Sequence, residues 1–138
     1  MATGYLTSDM EKRILKWMLN DSLNPANRLV QPIVVRLMDT NGDADTAGTE
    51  ITADSYEEVD TFWAQNSTTP GVEFANTSDI EFNSLDSTST IVVAGLELWD
   101  TNVNSPVRVA YAVFDTPQSV PATEPFIMST GTVRVKLL

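Results

Sequence analysis

Two hydrophobic periodicities divide the chain. Over residues 8–19, "SDMEKRILKWML", apolar side chains recur at helical spacing. Met10, Ile14, Trp17 and Met18 form the stripe and Leu15 and Leu19 widen it, while Lys12, Arg13 and Lys16 lie largely off it. Ser8 with Glu11 three residues later reads as a capping box that opens this helix, and Thr7 is a competing cap. "NDSLNPAN" (20–27) ends it, because the residue before a proline avoids the α region.

From Pro32 onward the period changes to two, the mark of strands with one buried face. "PIVVRLM" (32–38) is short and β-branched. In "TIVVAGLELWD" (90–100), Leu96 and Leu98 alternate with Glu97 and Trp99. "VRVAYAVFD" (107–115) sets Val107, Val109, Tyr111 and Val113 against Arg108, Ala110, Ala112 and Phe114. "TVRVKLL" (132–138) sets Val133, Val135 and Leu137 against Arg134 and Lys136. Residues 57–64, 72–76 and 79–83 are weaker strand candidates. The connections are rich in Thr, Ser, Asn, Asp, Pro and Gly, at spacings that suit a sandwich or barrel. The predicted fold is all-β: an antiparallel β-sandwich or jelly-roll-like barrel with one short N-terminal α-helix. Residues 1–31 are expected to form an N-terminal arm and amphipathic helix, and residues 32–138 the β body, in one compact domain overall.

Composition narrows the function. The 138 residues are 42% hydrophobic, enough for one modest core rather than a disordered chain. A formal charge of −11 makes nucleic acid an unfavourable partner, since a binder must displace counterions from phosphate. The charge is uneven. Residues 1–36 carry five basic and three acidic side chains, residues 37–138 three basic and sixteen acidic. Such asymmetry separates a docking segment from a solvated body, or reflects a helix that happens to carry the basic residues. Without cysteine or histidine, thiolate, zinc-thiolate and Ser-His-Asp chemistry are all unavailable. No apolar run approaches the ~20 residues of a membrane span, and the N-terminus lacks the basic start of a signal peptide. No membrane partner is expected, nor a cleaved leader. The glycosylation triplets at Asn20, Asn66 and Asn76 therefore carry little weight.

The stretch "DTNGDADTAGTE" (39–50) looks like a calcium loop, with oxygen side chains at Asp39, Asn41, Asp43 and Asp45 and a closing Glu50. An EF-hand is disfavoured, because Ala44 stands where the sharp turn needs glycine and the preceding "IVVRLM" is a strand rather than a helix. A looser calcium loop on a β scaffold is the alternative. A strand connection turning at Asn41-Gly42, with solvated acids at its tip, is the simpler expectation. No pair of carboxylates is marked out by spacing for glycosidase chemistry. Trp63, Trp99 and Tyr111 could stack on sugars, but aromatics in alternating strands are usually core. "TAGT" (46–49) and "STGT" (129–132) lack the lysine of a phosphate loop. No catalytic, cofactor-binding or metal residue is assigned, and no enzyme is expected.

One larger pattern spans most of the chain. A "GYLT" start leads into the helix, followed by an apolar strand, an acidic loop into "GTEI…SY" (48–56), "FANTSDIEF" (74–82), "LELWD" (96–100) and the closing "VAYAVFDTPQSVPATEPFIMSTGTVRVKLL" (109–138). This resembles a group of small tailed-phage virion proteins, tail-fibre-like, some of which serve as capsid decoration or cement proteins. The section from Thr116 to Leu137 is the most specific part of the resemblance. Two departures lie in "TSTIVVAG", where similar proteins often have Trp-Gly, and in "PATEPF", where they tend to have Gly-Asp. The resemblance implies a structural virion protein, made in the host cytoplasm, that binds the outside of a phage capsid and stabilises it. Its partner would be the major capsid protein lattice and its form a homotrimer. A tail or tail-fibre component is the first alternative, and a calcium- or carbohydrate-binding β module the second. In the capsid-binding reading the less acidic residues 1–31 are expected to contribute to the capsid or subunit contact.

Overall fold

The computed structural model describes residues 2–19, 31–65, 73–102 and 105–136. Among these residues twelve elements follow in order: β1 (Ala2–Leu6), α1 (Ser8–Leu19), β2 (Ile33–Thr40), β3 (Thr49–Glu50), β4 (Val59–Thr61), β5 (Trp63–Gln65), β6 (Glu73–Asn76), β7 (Ile80–Phe82), β8 (Ile91–Asp100), β9 (Val107–Val120), β10 (Phe126–Met128) and β11 (Val133–Lys136). The protein is all-β with one N-terminal helix, and its main sheet curls into a half-barrel. Nine strands form that sheet in the order β3-β2-β8-β9-β1-β11-β6-β5, with β4 also paired to β2; β7 and β10 form a separate two-stranded ribbon. The pairings are antiparallel except β1 with β11.

Register explains which residues make the core. Leu37, Leu96, Ala112, Gly4 and Val135 stand opposite one another across five strands on the concave face. Ile80, Phe82 and Met128 of the ribbon join the same apolar cluster and close that face, which gives the sandwich character. Aromatic contacts knit the ribbon in: Tyr56 stacks on Phe82, Phe82 on Phe126, and Phe114 meets Phe126 edge-on at 6.1 Å. A register shift between Leu98 and Trp99 decides the faces of β9. Ala110 and Ala112 turn inward, while Tyr111 and Val113 face out. Pro117 is tolerated because β1 begins opposite Phe114, so β9 beyond that point lacks a described strand on that side.

The N-terminal segment is not an arm outside the β body, as a division at residue 32 requires. Residues 2–6 form β1 in the middle of the sheet, held by β9 on one side and β11 on the other. Deleting residues 1–19 would therefore remove an interior strand and expose two edges, not merely a docking element. The helix follows directly. Thr7, not Ser8, caps it: the Met10 amide donates to Thr7 Oγ1 (3.2 Å), and the Ser8 amide is taken by the Ala44 carbonyl (2.9 Å). Thr7 wins because β9 fixes it, its amide donating to Val109 O and its hydroxyl to Arg108 O. Met10 and Ile14 pack on the core, as their spacing predicts; the side chains of Trp17 and Met18 and the Asn24-Pro25 stop lie outside the described residues.

Asn76, read from sequence as a possible glycan acceptor, is a buried strut. Its Nδ2 donates to Ser78 O (2.8 Å) and Ser129 O (3.1 Å), and its Oδ1 accepts from the Val133 amide (3.1 Å). Its carbonyl also takes the Gly131 amide (3.0 Å). Together these bonds fix the turn that delivers β11 to its place beside β1. Asn76→Ala leaves buried partners unsatisfied, and urea denaturation is expected to show a loss of about 2–4 kcal/mol. A loss within experimental error would refute the strut.

Candidate functional site

The convex face carries the polar chemistry of the sheet. Arg36, Glu97, Tyr111 and Tyr5 stand opposite one another across β2, β8, β9 and β1, with Val34, Trp99 and Arg108 in the next row. Glu97 is 1% exposed and Arg108 8%, so this is a buried ion pair, 3.2 Å from Oε1 to the guanidinium. The remaining valences of Glu97 are filled by the Gly48 amide (2.7 Å) and by Trp99 Nε1 (3.0 Å). Arg108 also donates to Asp43 O (2.6 Å). Its guanidinium lies 5.7 Å from the ring centre of Tyr111, whose ring is 6.1 Å from that of Tyr5, and Arg36 lies 4.8 Å from the ring centre of Trp99. A continuous chain of cation, carboxylate and aromatic contacts thus crosses four strands.

Asp43 and Gly48, which make these bonds with Arg108 and Glu97, both belong to the acidic loop, which folds back over the sheet. It is a strand connection, as expected, but its turn is not Asn41-Gly42. Asp43 makes the turn: its Oδ1 accepts the amides of Asp45 (2.9 Å) and Thr46 (2.8 Å), and its own amide reaches Thr46 O. Gly42 keeps a negative φ and is small for a different reason, since a Cβ there would lie 2.3 Å from Thr46 O. Asn41 instead packs onto β8, its Nδ2 donating to Ala94 O; a Cβ on Gly95 would lie 2.2 Å from Asn41 Oδ1. Glu50 Oε1 accepts from the Tyr56 hydroxyl (2.9 Å), which itself accepts from the Leu37 amide. Burial pushes the Tyr56 phenol far up, so it stays a protonated donor. Among the described residues no group of three or more acidic side chains is placed to hold a metal ion.

Other acids do the same internal work. Asp86 accepts the amides of Thr88 and Ser89, and Asp54 accepts the amide and hydroxyl of Ser87, which ties loop 53–56 to loop 84–89. Asp79 accepts the Thr130 amide (2.7 Å) and binds the ribbon to the turn before β11. These Ser/Thr/Asp-rich connections thus bond parts of their own backbone. A cleft of about 550 Å³ lies between the helix start and the acidic loop, lined by Thr7, Lys12, Asp45, Trp99 and Arg108. Trp63 points its Nε1 to Thr61 Oγ1 (2.8 Å) and packs against the core, so of the three aromatics considered for stacking only Trp99 and Tyr111 stand on the convex face. Sequence spacing could not single out Glu97 and Arg108, because eleven residues separate them along the chain.

A family model described as "Podophage GP4 fiber I protein gp80" matches residues 6–136. No match is found among curated proteins or solved structures.

Two outcomes follow from these bonds. Glu97→Ala leaves Arg108 buried without its counter-charge and is expected to cost about 3–5 kcal/mol by urea denaturation, whereas Glu97→Leu with Arg108→Met recovers most of that loss. Backbone and hydroxyl donors hold Asp43, Asp54 and Asp86 below the usual aspartate value of 3.8. A carboxyl lowered in the folded state adds stability above its unfolded pKa and loses it as pH falls through the folded one. The melting temperature is therefore expected to hold from neutral pH to about pH 4 and drop below it, with Asp54→Asn/Asp86→Asn flattening that drop.

Proposed function

The chain belongs to the family of the podophage GP4 fiber I protein gp80, and from that premise we propose that it is a fibre subunit of a phage virion, acting by assembly rather than by catalysis. The observation that carries this reading is the reach of the family match, residues 6–136, which takes in the helix cap, the acidic loop and the closing ribbon together. The internal geometry supports it. Asp43, Asp54, Asp79 and Asp86 are spent on the protein's own amides, which suits a rigid building block. An acidic exterior keeps such a block soluble before assembly.

A second reading keeps the structural role and changes its place: a decoration protein on the capsid exterior, bound to the major capsid protein lattice. The Thr116–Leu137 pattern is compatible with it, because that pattern resembles proteins of both kinds. In either place the unit is taken to be a homotrimer, so that modest contacts per subunit accumulate through multivalency. Neither reading involves nucleic acid or a membrane. Imaging purified virions, with the copies of this chain counted and located, separates the two. A few copies on fibres at the tail are expected. Many copies spread over the head would replace the fibre reading with the decoration one, and none on the particle would end both.

A further inference from the structure

The cleft between the helix start and the acidic loop, about 550 Å³ in volume, falls within the size range of small-molecule sites. Its walls are of two kinds. Trp99, Pro106 and Val107 supply apolar surface, and Lys12, Asp45 and Arg108 supply polar groups. The Trp99 ring is fixed before anything binds. Its Nε1 is bonded to Glu97 at 3.0 Å, and Arg36 of β2 lies 4.8 Å from the ring centre. The cleft is lined from the other side of β8, by Val107 and Arg108 of β9, and by no described residue of β2.

The polar groups are not fully used. A guanidinium has five N–H bonds. Arg108, 8% exposed, directs two of them to Glu97 Oε1 and Asp43 O. Among the described residues its other N–H bonds have no protein acceptor. The Asp45 carboxylate likewise has no donor among the described residues, since only its amide is engaged. Charge decides against an ion. Arg108 is neutralised by Glu97 and Lys12 lies 4.0 Å from Asp9, so no surplus cation awaits an anion. Asp45 alone is too little for a metal, which needs several oxygens.

We propose that this cleft binds a neutral sugar ring, with its C–H face on Trp99, hydroxyl oxygens accepting from Arg108 and a hydroxyl donating to Asp45. A hydroxyl donates and accepts at once, which matches a wall with a spare donor beside a spare acceptor. The aromatic surface between them selects a ligand that has an apolar face as well. So few contacts hold a single ring in the millimolar range, and avidity rises where several copies present the cleft together. The inference goes beyond the assembly reading and stands on the fold alone.

Amide and indole NMR spectra of the full chain test it, with D-glucose, D-galactose, D-mannose or N-acetyl-D-glucosamine added in turn. Millimolar amounts of at least one sugar are expected to shift the Trp99 indole and the amides of Thr7, Ala44 and Asp45, leaving the Trp63 indole in place. Asp45→Ala removes a hydrogen bond to a charged group and is expected to weaken binding about tenfold. Ala47→Phe, at an exposed position on the cleft wall, is expected to fill the cleft and abolish binding, with the melting temperature unchanged. An absence of shifts at these signals with every sugar overturns the proposal. So does binding as tight in Ala47→Phe as in the wild type. Sodium acetate moving the same signals where no sugar does overturns it too, since that describes an anion site. In each case the location found by imaging virions is unaffected.

Discussion

The buried pair of Glu97 and Arg108 is the point on which the convex side of the structure is organised. Such a pair is not in itself a large source of stability, since desolvation of both charges offsets most of their attraction. Its consequence is positional. Glu97 needs more donors than Arg108 supplies, and takes them from Gly48 and Trp99. Arg108 needs more acceptors than Glu97 supplies, and takes Asp43 O. A loop of hydrophilic residues is thereby drawn down over the sheet. The backbone of the same arginine accepts from Thr7, so the helix start is set by the residue that holds the loop. Four separate stretches of sequence share one geometry, and none can shift without leaving a charge or an amide unsatisfied.

Much of this arrangement was legible in advance and some was not, for physical reasons. Strands with a long period-two pattern were found because one of their faces is buried; β2, β8, β9 and β11 all fall within their predicted ranges or extend them. β1 was missed because "ATGYL" is short, has Gly4 at its centre and no clean alternation; its place comes from partners more than a hundred residues away. β3 and β10, of two and three residues, are too short for a period to show. The capping box was read at Ser8 because a local signal cannot see that β9 claims Thr7. Asn76 shows the same limit: the triplet Asn76-Thr77-Ser78 is a surface motif by pattern, but here the amide is buried among three backbone partners. The acidic loop was rightly read as a connection, while its pivot passed from Asn41-Gly42 to Asp43 because Asn41 is engaged with β8.

Charge asymmetry along the chain suggested a docking segment joined to a solvated body. The fold changes what that asymmetry means. The less acidic segment enters the sheet as β1, and its neighbours β9 and β11 bring Arg108 and Arg134 to the same face. The two parts of the sequence then meet on one face, where Arg36 bonds Glu58 at 2.7 Å and Arg108 bonds Glu97 at 3.2 Å. The sixteen acids after residue 36 are likewise less uniform than their count implies, because Asp43, Asp54, Asp79 and Asp86 are engaged as acceptors for neighbouring amides.

Net charge is then a poor guide to how two copies meet. Within one chain the acidic edge and the convex cations are in contact: Glu58 bonds Arg36 at 2.7 Å, and Asp60 stands opposite Val34 in the row of Trp99 and Arg108. At physiological ionic strength the screening length is only about 8 Å, so such local pairs, rather than the total charge, set what a neighbouring surface meets. Long-range repulsion between two chains of −11 slows their encounter, while the patches in contact decide whether the encounter persists. A body that is acidic overall repels its own copies at long range and so stays dispersed when dilute, which suits a structural protein of a virion before assembly.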